Sequence, residues 1–340
     1  MKLVHEILTL HTRHPFVIAR GGSSEWRTVL VRVVDESDGA EGWGEAAGNR
    51  FYGENLDTVV AVLPRLEAAL EGVDPWAIER AEAEMNRAIR GHPAAKSAVS
   101  AALHDLAAKR LGVPLYRMWG LEPRSVPLSS YTIAIAGNDE LRRRVDEARE
   151  YPVLKVKLGT DRDAEIIRVV RDAAPDKRLR VDANAAWSAK HALHMIELLR
   201  DLDVEFVEQP LAPHDLEGLR FVRDRSPLPI VADESCLVAA DVARLVGVVD
   251  GINIKLAKCG GLREALRMIA TARAHGMLVM AGCMIESSLG ITAAAHLAPL
   301  LDFADLDGAA LLSDDPFVGA TLAGGRLELP TGPGLGVTKR

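Results

Sequence analysis

After Gly120 the chain falls into a repeating pattern in which short apolar runs alternate with amphipathic segments of helical period. The runs span residues 126–135, 153–158, 179–183, 204–207, 229–232, 251–256, 277–280 and 301–303. Helical patterns such as 164–174, 189–202 and 263–274 lie between them. Eight strands alternating with helices predict a parallel barrel rather than an open sheet. No glycine-rich phosphate loop follows the first strand, which weakens a doubly wound alternative.

In such a barrel, chemistry sits at the C-terminal ends of the strands. Those ends read Lys155-Val156-Lys157, Asp182-Ala183-Asn184, Glu208-Gln209-Pro210, Asp233-Glu234-Ser235, Ile254-Lys255-Leu256 and Asp305-Leu306-Asp307. Three consecutive strands each deliver a carboxylate to one mouth, with lysines on either side. A single acid at a strand end reads as a helix cap or an ion-pair partner. Three on adjacent strands must be neutralised or they would protonate. A hard divalent cation does this, and Mg²⁺ also keeps positions open for substrate oxygens.

Lys155 and Lys157 are two apart on a strand and share a face. Two crowded ammonium groups predict a lowered pKa for at least one of them, toward the range of a proton-transfer base. Lys255 comes from the strand across the barrel, whereas Lys258 lies beyond that strand and is the weaker candidate. A substrate held between the two lysine sites has one lysine on each face of a carbon. One takes an α-proton and the other returns a proton to the opposite face, which is racemisation or epimerisation.

The segment before the barrel reads as α+β. Strands are expected over 3–10, 16–20 and 28–34, with Gly39, Gly42 and Gly44 breaking the chain between strands. Helices follow over 55–111, punctuated by Pro75 and Pro93, and 98–111 is buried. Two loops, 19–26 and 48–53, combine charge with aromatics and are candidates for ligand contact. The glycine- and proline-rich tail is too turn-rich for a barrel helix and is expected to return to the first segment.

Composition narrows the partners. The chain has 340 residues, 48% hydrophobic, with a net charge of -7. No basic patch interleaves with aromatics, so nucleic acid is not a partner. No apolar stretch is long enough for a bilayer, and the N-terminus lacks a signal-peptide pattern. Cys236, Cys259 and Cys283 lack metal-ligand spacing and read as free thiols in a reducing cytoplasm. A homo-oligomer is compatible with the sequence and not required by it.

These motifs, in this order and over nearly the whole chain, resemble the enolase superfamily in its muconate lactonising enzyme subgroup. The resemblance also rests on Lys255-Leu256-Ala257-Lys258-Cys259-Gly260-Gly261. It implies a (β/α)₇β TIM-like barrel over 121–316, with an α+β cap over 1–120 completed by 317–340. It implies one Mg²⁺ on Asp182, Glu208 and Asp233, and Lys157 and Lys255 as the two acid/bases. Lys155 would tune Lys157. Asp305-Leu306-Asp307-Gly308 is similar to the Asp-x-Asp of dipeptide epimerases, where the pair holds the substrate's α-ammonium. Paired carboxylates suit a cationic amine. Gly282-Cys283-Met284-Ile285-Glu286-Ser287-Ser288 is similar to the same group's seventh strand and loop. Mandelate racemase relatives use a histidine at that strand end, and none stands there.

The resemblance therefore implies an isomerase. It would invert the α-carbon of the C-terminal residue of an L,L-dipeptide, L-Ala-L-X, by two-base 1,1-proton transfer through a metal-stabilised enolate. Asp305, Asp307, Met284, Thr132, Arg20 and Tyr52 would contact the substrate. N-acylamino acid racemase, o-succinylbenzoate synthase and muconate cycloisomerase are the alternatives on the same site. Arg20 is offset by one residue from the arginine that reads a glutamate side chain in Ala-Glu epimerases. An acidic, hydrophobic or cationic second residue therefore stays open.

Overall fold

The computed structural model describes residues 1–340. The chain opens with three antiparallel strands in the order β1-β2-β3: β1 (Lys2–Ile18), β2 (Gly21–Val34) and β3 (Glu41–Ala46). Side chains alternate along β2. Val29, Val31 and Val33 join one core, while Leu30 joins Leu8 and Leu10 in the larger core around the barrel. The first core is completed by α1 (Leu56–Ala69), α2 (Ile78–Ala88) and α3 (Pro93–Leu111). Helix α3 is buried from Ala94 to Ala108. Gly42 and Gly44 let β3 lie directly on it, because a Cβ at either would overlap the carbonyl of Ala102 or Ala98.

Two expectations for this region are corrected. The strands expected at 3–10 and 16–20 are one strand, β1, with a register irregularity between His11 and Phe16. Pro15 lies in that gap and cannot donate to the ladder. The loop expected over 19–26 is mostly β2. The ladder runs on through Phe16–Ser23, Val17–Gly22 and Ile18–Gly21, leaving Ala19 and Arg20 as the turn. Gly21 supplies the positive φ, +110°, that this tight reversal needs.

The barrel is β4 (Tyr131–Ile133), β5 (Val153–Lys157), β6 (Arg178–Asp182), β7 (Val204–Glu208), β8 (Ile230–Ala232), β9 (Gly251–Ile254), β10 (Leu278–Gly282) and β11 (Phe303–Asp305). All pair in parallel with their sequence neighbours. A bridge from Ser129 to Ala304 closes the ring. Helical segments fill each of the seven connections, and only a 3₁₀ turn, Gly308–Leu311, follows β11, giving the (β/α)₇β order. The first apolar run, 126–135, contributes only Tyr131–Ile133, since Pro127 interrupts it.

Arg180 plugs the barrel below the mouth. Its guanidinium lies over the rings of Phe206 and Phe303, 5.5 and 4.8 Å from their centroids, and donates to the Ala304 carbonyl at 3.0 Å. The tail reaches α3, where the Leu335 N–H donates to Asp105 Oδ1 at 2.6 Å. No helix is long and apolar enough to cross a membrane.

The β3–α3 contact makes a prediction. Gly42→Ala should destabilise the protein by about 1–3 kcal/mol, read as a lowered thermal midpoint. An unchanged midpoint would mean that the two elements do not touch as described.

Candidate active site

Register sets the site. In the ladders β5–β6–β7, Lys157 pairs with Asp182 and Asp182 with Glu208, so three charged side chains stand level at the mouth. Asp233 follows β8 directly, and the carboxylate oxygens of Asp182, Glu208 and Asp233 come within 4.8 Å of one another, all buried. Backbone strain sits next to them. Asn184 and Gln209 hold φ of 46° and 35°, a region non-glycine residues rarely adopt. Both are fixed by hydrogen bonds: the Asn184 N–H donates to Asp182 Oδ1 at 2.8 Å, and Gln209 Oε1 accepts from the Asp233 N–H at 2.9 Å.

The lysines pair with these acids. Lys157 Nζ is 2.7 Å from Asp182 Oδ2, and Lys255 Nζ, across the barrel, is 2.8 Å from Asp233 Oδ2. Lys155 is fully buried and lies 2.6 Å from Glu208 Oε2 and 2.7 Å from Asp305 Oδ2. Its approach to Glu208 Oε2 is off hydrogen-bond angle, so that oxygen has a charge partner and no hydrogen bond. Lys258 does not face the cavity. It donates to the carbonyls of Asp233 and Asn253 at 2.7 and 2.9 Å and to Asp233 Oδ1, holding that carboxylate from below.

These contacts correct the expected titration for Lys155. Burial works against the charge of Lys155 and Lys255, yet the carboxylates around them outweigh it. Asp305, Glu208 and Asp182 lift Lys155 well above its usual value, and Asp233 lifts Lys255. Repulsion between ammonium groups is the smaller effect while each has an acid beside it. Burial, then the Asp182 charge, pushes Glu208 up to about 7.

The twelve residues singled out from sequence divide into two layers. Lys157, Lys255, Thr132, Met284, Asp305 and Asp307 border one cavity beneath β1–β3, and Arg20 and Tyr52 border it from above. Asp182, Glu208, Asp233 and Lys155 form the buried layer under it. Asp305 is partly engaged, accepting from Ser130 Oγ at 2.6 Å as well as from Lys155. Asp307 accepts from the Thr132 N–H at 2.6 Å, and burial followed by the Asp305 charge raises it to about 7. Burial and the charges of Asp233 and Glu234 keep the Tyr52 phenol protonated.

Sequence reading missed three supports. Asn253 donates to Glu208 Oε1 at 2.8 Å. It stands two residues before Lys255, on the same strand face, and that period-two placement was a readable signal. Ser130 had no such signal. Nor had Glu45 of β3, which accepts from the N–H groups of Ser287 and Gly290 at 3.1 and 3.0 Å and so clamps the loop carrying Met284.

Both parts of the chain match known family models. Residues 3–120 match the mandelate racemase/muconate lactonizing enzyme N-terminal domain, and residues 138–340 match the enolase C-terminal domain-like family. The chain belongs to the enolase superfamily. Among superfamily relatives, the L-Ala-D/L-Glu epimerase of Bacteroides thetaiotaomicron is 40% identical over all of this chain and 88% of its own length. The hydrophobic dipeptide epimerase of Roseobacter litoralis is 38% identical over 99% of this chain and 98% of its own. The fold superposes on a dipeptide epimerase from Cytophaga hutchinsonii, complexed with Mg and D-Ala-L-Val, with a TM-score of 0.94. That pair shares 31% identity, covering 100% of this chain and 96% of the other.

The donor set fits a hard divalent cation: three buried carboxylates converge, and Glu208 Oε2 has no hydrogen bond. Mg²⁺ at about a hundredfold its Kd should stabilise the protein by about 2.7 kcal/mol, seen as a saturable rise in thermal midpoint. Asp182→Asn should abolish that rise. A rise that survives Asp182→Asn together with Glu208→Gln would place the ion elsewhere.

Proposed function

We propose that this protein is a Mg²⁺-dependent dipeptide epimerase acting on L-Ala-L-X substrates at the α-carbon of the C-terminal residue. The observation that carries the reading is the placement of Lys157 and Lys255 on opposite barrel strands, with the three acids between them on the ring and Asp305 and Asp307 beside the same cavity. In this reading residues 1–120 with 317–340 form the cap, and 121–316 build the site beneath it.

Each group has a task. Asp182, Glu208 and Asp233 hold the metal, which when bound would take up the substrate carboxylate and the charge left as the α-proton departs. Asp307, with Asp305, receives the α-ammonium at the far side of the cavity. With both ends of the backbone held, the α-carbon lies between the two lysine amines. Lys157 takes the proton from one face and Lys255 delivers one to the other, with the roles exchanged for the opposite epimer. Both lysines must alternate between free amine and ammonium. Cation binding at their carboxylate partners would weaken the ion pairs they make there. Lys155, fixed among Asp305, Glu208 and Asp182, favours the ionised form of those acids and adds its charge beside Lys157. Tyr52 and the hairpin turn exclude water from above.

The alternative substrates of this fold, N-acylamino acids and muconates, carry no ammonium. Asp305→Asn with Asp307→Asn should therefore cripple epimerisation of dipeptides and leave turnover of such substrates largely intact. The test is deuterium uptake from D₂O into a pool of L-Ala-L-X dipeptides with Mg²⁺, read as a one-dalton gain. No gain across the pool, with N-succinylamino acids or muconates turned over instead, would overturn the reading.

Asp307 also sets a pH dependence. It is ionised above about 7 and protonated below, and only the ionised form pairs with an ammonium. At saturating Mg²⁺, kcat/KM should fall about tenfold per pH unit below that point. Asp307→Asn should be slow and flat through the same window. An unchanged slope in that variant would assign the titration to another group.

A further inference from the structure

One cation reaches over the barrel mouth from above, and the barrel itself holds it. Arg20 sits in the turn between β1 and β2. Its Nη1 donates to the Asn184 carbonyl at 2.7 Å, and its Nη2 lies 2.8 Å from Glu234 Oε1. The Phe51 ring covers the guanidinium with its centroid 4.3 Å away. The Glu234 side chain is 1% exposed, and Arg20 is the one cation within ion-pair distance of it. Taking Arg20 away would leave the buried Glu234 carboxylate without its one ion-pair partner, which is disfavoured. Arg20 is therefore committed to Glu234 and is not a free counter-charge for a substrate.

The rest of the upper cavity matters for the same reason. Ile18, Met284 and Ile285 supply apolar wall, Trp26 adds its ring with a buried indole N–H that has no partner, and Asn49 turns its amide toward the Met284 sulfur at 3.6 Å. Lys157 and Lys255 border the cavity but are paired with acids below it. Arg27 also borders it and has no acid within 4 Å. It stands on the exposed rim, where water screens its charge. An acidic side chain brought into this space would be buried without a cationic partner. An apolar one would meet apolar wall.

We infer that the side-chain site selects an uncharged, apolar residue at the inverted position and rejects an acidic one, with Glu234 enforcing the choice by holding Arg20. The inference rests on the dipeptide reading above and deepens it. Glu234 acts through Arg20 and is a specificity-determining residue, not one that touches the reacting atoms.

The test compares L-Ala-L-Met, L-Ala-L-Gln and L-Ala-L-Glu, whose side chains match in length, by kcat/KM for α-deuterium uptake on the Mg²⁺-loaded full chain. The wild-type protein should favour Met over Glu by at least about tenfold. Glu234→Gln releases the guanidinium, so the Glu-to-Met ratio should rise by at least about tenfold whatever happens to the absolute rates. Adding Arg20→Met to that variant should return the ratio to its starting value. Wild-type turnover of L-Ala-L-Glu at or above that of L-Ala-L-Met overturns the inference, as does a ratio that Glu234→Gln leaves unmoved. A wild-type preference for Glu that Arg27→Gln removes would make Arg27 the reader and equally overturn it. The wild-type ratio decides alone if Glu234→Gln does not fold. Uptake into none of the three, nor into any other dipeptide, overturns the dipeptide reading and this inference with it, whereas uptake favouring Glu overturns the inference only.

Discussion

Charges packed into a dry barrel mouth have to be balanced there, and most of this structure follows from how the balance is struck. Asp182, Glu208 and Asp233 are buried within one layer, and each has a lysine amine against it. Separately these ions would each cost several kcal/mol of lost hydration. Together they form an alternating network in which Lys155 touches three acids and Lys258 holds Asp233 from below. The same arrangement offers a cation three oxygen donors, and bringing one in would compete with the lysine ion pairs. In the proposed reading, structural balance and proton transfer are two states of one set of side chains.

The strands β1–β3 and their helices are tied to this layer by polar contacts that the barrel could not make alone. Glu45 spans to the Ser287 loop, and Arg20 spans to Asn184 and Glu234. Both are buried or partly buried charge-assisted contacts, stronger than neutral hydrogen bonds. They bring the hairpin turn and Tyr52 over the cavity, so that the side-chain space is built from both parts of the chain. Gly42 and Gly44 set how closely β3 rests on α3, and so how firmly Glu45 is placed.

The barrel and the acid–lysine layer were legible because both obey short-range rules. Period-two spacing puts Lys155 and Lys157 on one face, and strand-to-strand alternation puts Asp182, Glu208 and Asp233 side by side. What remained hidden depends on contacts between residues far apart in the chain. Ser130 on Asp305 and Glu234 on Arg20 are pairings that no local pattern encodes. For Lys155 the sequence points the wrong way, because it shows adjacent amines but not the distance to each acid. The hairpin at Ala19-Arg20 was hidden by its glycines and serines, which suggest a loop although the ladder runs through Gly21–Trp26.

The claim on which the rest turns is that Lys157 and Lys255 address opposite faces of one carbon. It is tested by α-deuterium exchange of L-Ala-L-X and L-Ala-D-X, measured separately, in Lys157→Ala and in Lys255→Ala. Each variant should retain exchange with one epimer only, the two variants should retain opposite epimers, and neither should interconvert them. Exchange of both epimers in either variant would contradict the two-base arrangement.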